Sequence, residues 1–316
     1  MIYNDPLKLI GNTPLVKLIK ISKKFNANFY VKLEKYNLTG SVKDRAALGM
    51  IEKGERMGVL KPGMTLIESS SGNLGIAIAA ISNIKGHKFI CVIDPKTSAS
   101  KISIIEAYGG KVLLVKDKDK DGSYVKMRIK TVKELASSNK NFYNLDQYSN
   151  QDNTLAHFET TGPELFDDLK GNVDALVGNV STSGTMVGTA KFLKRKIPHI
   201  FVVGVEPVGS ILFGGQYKPY YQQGPGLSFI PKIFDNSIFD EWVKVKDISA
   251  FKTASNIAKK EGIFVGGSSG AAIYAAIRTK KQHANLKNIV IICPDGGERY
   301  LDTVFSKSWL KERNLI

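Results

Sequence analysis

Short apolar runs rich in β-branched residues alternate with longer amphipathic stretches along most of the chain. Residues 65–68, 88–94, 111–115, 174–177, 200–205 and 288–293 carry the strand pattern. Residues 72–84, 99–108, 123–137, 184–193, 250–260 and 270–280 carry helical spacing, and a further helix is predicted to begin at Lys43. This βαβα rhythm predicts an α/β fold with parallel-rich twisted sheets covered by helices on both faces. Such sheets bind ligands at the carboxyl ends of their strands.

The chain has 316 residues, too many for one small core, and predicts two lobes. A polar stretch at 147–153 separates two α/β runs and marks the internal boundary. There is no internal repeat and no low-complexity linker.

Composition narrows the function classes. Hydrophobic content of 43% and charged content of 23% fit a folded globular protein. The formal net charge is +16, but the lysines are scattered, without a basic block or interleaved aromatics. Nucleic-acid binding is therefore not expected, although a positive field would draw in small anions. The first residues show no secretory pattern, and the most apolar helical stretch, 74–84, is too short to span a bilayer. A cytoplasmic protein with no membrane partner is expected, with Cys91 and Cys293 as buried free thiols inside strand-like runs.

Two metal signals fail. Asp117, Asp119, Asp121 and Gly122 imitate a calcium loop, but its closing position is Arg128 rather than glutamate. His87, His157, His199 and His283 share no ligand spacing, so no catalytic metal is expected. The run 116–122 reads as a solvated loop.

The chemistry gathers around Lys43 and three turns rich in Gly, Ser, Thr and Asn, each expected where a strand hands over to a helix. These are Ser69-Ser70-Ser71-Gly72-Asn73-Leu74-Gly75, Ser181-Thr182-Ser183-Gly184-Thr185 and Gly266-Gly267-Ser268-Ser269-Gly270. A lysine amine forms a Schiff base with an aldehyde, and a turn opening a helix binds phosphate through free N–H groups. Pyridoxal phosphate needs both. The turn 181–185, with four hydroxyls, suits the phosphate best.

At these residues the chain resembles the cysteine synthase / cystathionine beta-synthase family of fold-type II pyridoxal-phosphate enzymes, which are tryptophan synthase beta-like. The likeness runs nearly end to end, through Gly11-Asn12-Thr13-Pro14-Leu15, Gly40-Ser41-Val42-Lys43-Asp44-Arg45, Ser71-Gly72-Asn73, Gln147, Val205-Glu206-Pro207, Gly266 to Gly270 and Pro294-Asp295-Gly296-Gly297-Glu298-Arg299-Tyr300. The resemblance implies a smaller lobe over 41–150 that closes on substrate, a larger lobe from 1–40 plus 151–316, and a homodimer. It implies that Lys43 holds the cofactor as an internal aldimine, Asn73 bonds the ring hydroxyl, Ser181, Thr182, Ser183, Gly184 and Thr185 cradle the phosphate, and Ser268 faces the pyridine nitrogen. Ser70, Ser71 and Gln147 would receive the carboxylate of a small amino-acid substrate. A neutral hydroxyl at the ring nitrogen makes a weaker electron sink than an acid would, favouring β-elimination and β-replacement through an α-aminoacrylate, with Lys43 as general base. From the short ends, neither a haem-binding extension nor a C-terminal regulatory module is expected.

Departures from the common pattern matter. Leu74 stands where a threonine is usual, Ser181 and Ser183 replace two glycines, and Tyr148 replaces a phenylalanine. These departures resemble the branch making N-(2-amino-2-carboxyethyl)-L-glutamate from O-phospho-L-serine and L-glutamate, as in staphyloferrin B-type siderophore pathways. There, positions matching Arg128, Tyr148 and Ser181 help select substrate. By pattern alone Arg128 is a surface charge on a helix. Alternatives are cysteine synthase using O-acetyl- or O-phosphoserine with sulfide, a cysteine-using relative that releases sulfide to form lanthionine or serine, and a catalytically silent binding protein.

Overall fold

The computed structural model describes residues 2–119 and 122–316. Asp121, needed by the calcium-loop reading, lies outside the described residues. The chain begins with β1 (Leu15–Lys17), α1 (Ile19–Phe25), β2 (Asn28–Leu33) and α2 (Lys43–Arg56). It continues through β3 (Thr65–Ser69), α3 (Asn73–Ile84), β4 (Lys88–Ile93), α4 (Ala99–Ala107), β5 (Lys111–Leu114), α5 (Tyr124–Ser138) and β6 (Phe142–Asn144). Next come α6 (Asp152–Glu159), α7 (Thr161–Asp168), β7 (Ala175–Asn179), α8 (Gly184–Lys196), β8 (Phe201–Pro207) and β9 (Glu241–Val245). The last elements are α9 (Asp247–Glu261), α10 (Gly267–Gln282), β10 (Asn288–Cys293) and α11 (Lys307–Glu312).

The strands form two sheets. One has four strands in the order β5-β4-β3-β6, all parallel, and the other six in the order β1-β2-β10-β7-β8-β9. Only β1 runs antiparallel to its neighbour. Helices cover both faces, so the central strands are apolar on both sides: Ala175 to Gly178 in β7 and Ile289 to Cys293 in β10 are buried. Helix α3 is buried from Leu74 to Ser82 and forms the heart of the four-stranded half. Cys91 and Cys293 are free and buried in β4 and β10.

Ends of elements follow local chemistry. Ser123 accepts from Lys126 N and caps α5. Gly262, at φ 72°, ends α9 in the left-handed conformation while its N–H bonds the Ala258 carbonyl.

The pattern at 65–138 matches the strands and helices found there. The third turn differs from expectation. It follows α9, with a single bridge between Val265 and Gly296, rather than a strand of either sheet. It reaches the site because Gly266 N bonds the Asp295 carbonyl, just beyond β10.

Helix α6 sets the spacing between the two halves. A Cβ at Gly188 of α8 would strike the Thr154 carbonyl oxygen, one at Gly184 the Asn153 side chain, and one at Gly49 of α2 the Ala156 Cβ at 2.6 Å. Three missing side chains thus let α2 and α8 lie hard against α6 on opposite sides. Arg45 of α2 fixes the same layer. Its Nε lies 2.7 Å from Glu34 Oε2 and its Nη1 2.5 Å from Glu164 Oε1 of α7. Because the obstacle at Gly188 is backbone, Gly188→Ala is expected to cost ~1–3 kcal/mol and lower the thermal unfolding midpoint by several degrees. An unchanged midpoint by calorimetry would contradict this packing.

Candidate active site

The segments that follow β3, β7, β8 and β10 converge with the start of α2 on one cleft. Its walls include Lys43, Asn73, Ser181 to Ser183, Thr185, Gly224, Ser268 and Asp295, and the cleft opens to solvent.

Lys43 is the first residue of α2 and is half-buried in the cleft wall. Among the described residues no carboxylate lies within ion-pair distance of its amine. Burial lowers its pKa from 10.5 to about 8. The partial positive charge at a helix N-terminus acts in the same direction. The amine is thus poised to lose its proton near neutral pH, as a nucleophile or base requires.

Ser181 to Thr185 join β7 to α8, whose first N–H groups have no intrahelical partner. Ser183 sits at φ 78°, a left-handed conformation costly for serine, and its hydroxyl donates to the Ile233 carbonyl at 3.2 Å. Asn153 Nδ2 donates to Thr182 Oγ1 (3.2 Å) and to the Gln147 carbonyl (2.9 Å). Thr185 Oγ1 lies 3.1 Å from His157 Nε2, and His157 Nδ1 lies 2.9 Å from Thr161 Oγ1. Burial, with the charges of Arg45 and Lys43, keeps the His157 imidazole neutral by pushing its pKa well down.

Asn73 opens α3 and reaches the cleft, but its carboxamide is already engaged by Asp295 and Arg299. Ser268 lies in the first turn of α10, buried in the cleft wall, and its carbonyl accepts from Asn179 Nδ2 at 2.8 Å.

The substrate-side residues are placed less uniformly. The Ser70 hydroxyl accepts from Gly72 N (3.3 Å) and Gly75 N (3.0 Å), so it stabilises the turn itself. Ser71 is half-exposed at the tip of that turn. Gln147 Nε2 donates to the Ser69 carbonyl at 2.9 Å, and Gln147 N to Glu68 Oε2 at 3.2 Å. Glu68 is buried, which raises its pKa to about 8. Tyr148 packs edge-on against Phe229, with burial raising its pKa to about 12.

Arg128 is not the surface charge its pattern suggested. It is 3% exposed, because α5 turns it inward onto the carboxyl edge of the four-stranded sheet. Its Nε lies 3.1 Å from Asp94 Oδ2, off the line of the N–H, so the pair is electrostatic rather than hydrogen-bonded. Nη1 is buried and has no hydrogen-bond partner among the described residues. The guanidinium charge is felt at both Cys91 and Tyr148.

A family model described as "Pyridoxal-phosphate dependent enzyme" matches residues 7–295. The chain belongs to the pyridoxal-phosphate-dependent enzyme family. It is 40% identical over 310 residues to N-(2-amino-2-carboxyethyl)-L-glutamate synthase of Ralstonia nicotianae, covering 98% of this chain and 92% of that one. It is 41% identical over 298 residues to a cysteine synthase of Staphylococcus aureus, covering 94% of each. Among solved structures, a hydrogen sulfide-producing enzyme of Fusobacterium nucleatum superposes with a TM-score of 0.89 at 38% identity, covering 95% of this chain and 100% of that one.

The cleft of this pyridoxal-phosphate-dependent enzyme suits its cofactor. An amine without an acidic partner, a hydroxyl-rich helix start and a buried serine border the same space. Among the described residues no helix is long and apolar enough to cross a membrane. Asn153 and His157 behind the phosphate-type loop, and Asp295 and Arg299 around Asn73, escaped the sequence reading. Their signal was weak, since a lone Asn or His on a helix is ordinary. Asp295 and Arg299 stood inside a quoted motif without an assigned task.

The lowered pKa of Lys43 has a direct readout. On the expectation that Lys43 is the amine that takes up pyridoxal phosphate, uptake by the apoprotein needs it neutral, and the rate is expected to rise with pH through a midpoint near 8. Stopped-flow absorbance over a pH series checks this; a midpoint near the ordinary lysine value of 10.5 would contradict it.

Proposed function

We propose that this enzyme performs β-replacement on O-phospho-L-serine with L-glutamate as nucleophile, giving N-(2-amino-2-carboxyethyl)-L-glutamate and phosphate. The observation that carries the reading is Arg128, buried beside Asp94 just after β4, with an Nη1 that has no hydrogen-bond partner among the described residues. Asp94 balances the charge of the guanidinium but leaves Nε and Nη1 without a hydrogen bond, and buried donors left so are costly. The guanidinium fork suits phosphate or carboxylate, and both substrates carry such groups. The likeness to the Ralstonia enzyme supports the same choice.

When bound, pyridoxal phosphate supplies an electron sink for the pair left on the substrate Cα. The chain's own groups do the rest. The amine of Lys43 takes the Cα proton. The Cβ–O bond breaks and phosphate leaves with its electron pair. The glutamate nitrogen then bonds to Cβ through its lone pair and releases one of its protons to solvent, and the proton held by Lys43 returns to Cα. In this reading the start of α8 and the hydroxyls of Ser181 to Thr185 anchor the cofactor phosphate. Ser268 faces the ring nitrogen as a neutral hydroxyl. Ser71, the N–H groups of the 70–75 turn and Gln147 receive the substrate carboxylate, while the Ser70 hydroxyl shapes that turn. We take 41–150 as the lobe that closes over substrate and keeps water out.

The similarity to cysteine synthase favours a second reading, in which sulfide takes the place of glutamate. Incubating the purified holoenzyme with O-phospho-L-serine or O-acetyl-L-serine, and with glutamate, sulfide or cysteine, separates the two by mass spectrometry of the products. The proposal expects the glutamate adduct from phosphoserine; product with sulfide alone would overturn it. Arg128→Ala is expected to lower kcat/KM by about 100-fold, the loss of a charge-assisted contact of ~2–3 kcal/mol. Unchanged steady-state kinetics would remove Arg128 from the substrate.

A further inference from the structure

The carboxamide of Asn73 is held on both sides. Nδ2 donates to Asp295 Oδ2 at 2.7 Å, and Oδ1 accepts from Arg299 Nη1 at 2.6 Å. Neither partner is free to wander. Arg299 Nη2 donates to the Thr39 carbonyl, and Asp295 Oδ2 also accepts from the Tyr300 hydroxyl at 2.5 Å. Asp295 is 2% exposed, and its Oδ1 lies against Gly266, where any Cβ would strike it.

The two ends of an amide side chain are nearly identical in shape, so packing alone does not decide which faces where. Here the neighbours decide. Turned over, Nδ2 would face a guanidinium that can only donate, and Oδ1 a carboxylate that can only accept. This logic requires Asp295 Oδ2 to be an acceptor, and it accepts from both Asn73 and Tyr300. Burial raises the Asp295 pKa, while these two donors and the Arg299 and Lys101 cations limit the rise.

An amide nitrogen carries two hydrogens. Asp295 takes one, which leaves the other for the cleft that Asn73 and Lys43 share. We infer that Asp295 and Arg299 are positioning residues that lock the Asn73 carboxamide in one orientation, so that its second Nδ2–H is presented to the ring oxygen of bound pyridoxal phosphate. The inference rests on the assignment of Asn73 to that oxygen. A hydrogen bond there favours the oxygen's charged form. The orientation of Asn73 therefore sets the balance between the cofactor's absorbing species, and Asp295 and Arg299 act on the cofactor only through Asn73.

The experiment is a double-mutant cycle on purified holoenzyme. Visible absorption of the bound cofactor at fixed pH and its loss rate on dilution are compared for the wild type, Asn73→Ala, Arg299→Met, Asp295→Asn and the double variant Asn73→Ala/Arg299→Met. Each single variant is expected to change the ratio of the cofactor's bands in the same sense, and to speed cofactor loss by about tenfold, the value of one hydrogen bond. The double variant should look like Asn73→Ala alone. Circular dichroism checks folding; should Arg299→Met fail to fold, Arg299→Lys, which keeps the charge but loses the fork, carries the same comparison. If Asn73→Ala changes the spectrum but the Arg299 effect simply adds to it, positioning is overturned while the role of Asn73 stands. If Asn73→Ala changes nothing, the assignment of Asn73 falls and the inference with it.

Discussion

Two helix starts must open into the same cleft, and the contact of α2 and α8 with α6 is what makes them do so. Gly49, Gly184 and Gly188 remove the atoms that would push the helices apart. The N-terminus of α2 then presents Lys43, and that of α8 presents a row of free N–H groups, to one space. A shift of an ångström in either helix would part the amine from the 181–185 turn. The positive helix ends help both tasks, since they repel a proton from the amine and attract a phosphate.

Two sets of charges in this enzyme contrast. Arg45, Glu34, Glu164 and Lys32 satisfy one another, with Lys32 Nζ 3.0 Å from Glu164 Oε2 and both Arg45 and Glu34 away from water. Burial would raise the pKa of Glu164, yet Arg45 and Lys32 hold it down to about 2. This network is structural. Lys43 and Arg128 are different. One has no acid beside it, and the other has only the misaligned Asp94. Leaving a charge unsatisfied costs stability, and that cost marks where a guest is expected to complete the set.

Much of this was legible in the sequence because it depends on local pattern. Strand and helix periods in 65–138 place β3 to β5 and α3 to α5. The Ser181 to Thr185 turn declares itself by its hydroxyls, and Lys43 by its position at a helix start. Elements that depend on tertiary context were harder. The short strands β1, β6 and β9 have three to five residues and little periodicity. Helices α6 and α7 carry buried polar residues such as Asn153 and His157, which obscure their apolar faces. Arg128 shows the limit most clearly. An arginine among lysines on an amphipathic helix reads as solvated, and only the meeting of α5 with β3 and β4 shows that it points inward. The Asn73 flip is likewise invisible from sequence, because its neighbours lie more than two hundred positions away.

The central claim is a covalent link between one amine and the cofactor's aldehyde. Reducing the holoenzyme with borohydride, digesting it and sequencing the labelled peptide by mass spectrometry tests this most directly. The account predicts a single pyridoxyl phosphate on Lys43. A label on another lysine, or none on a protein saturated with cofactor, would contradict it.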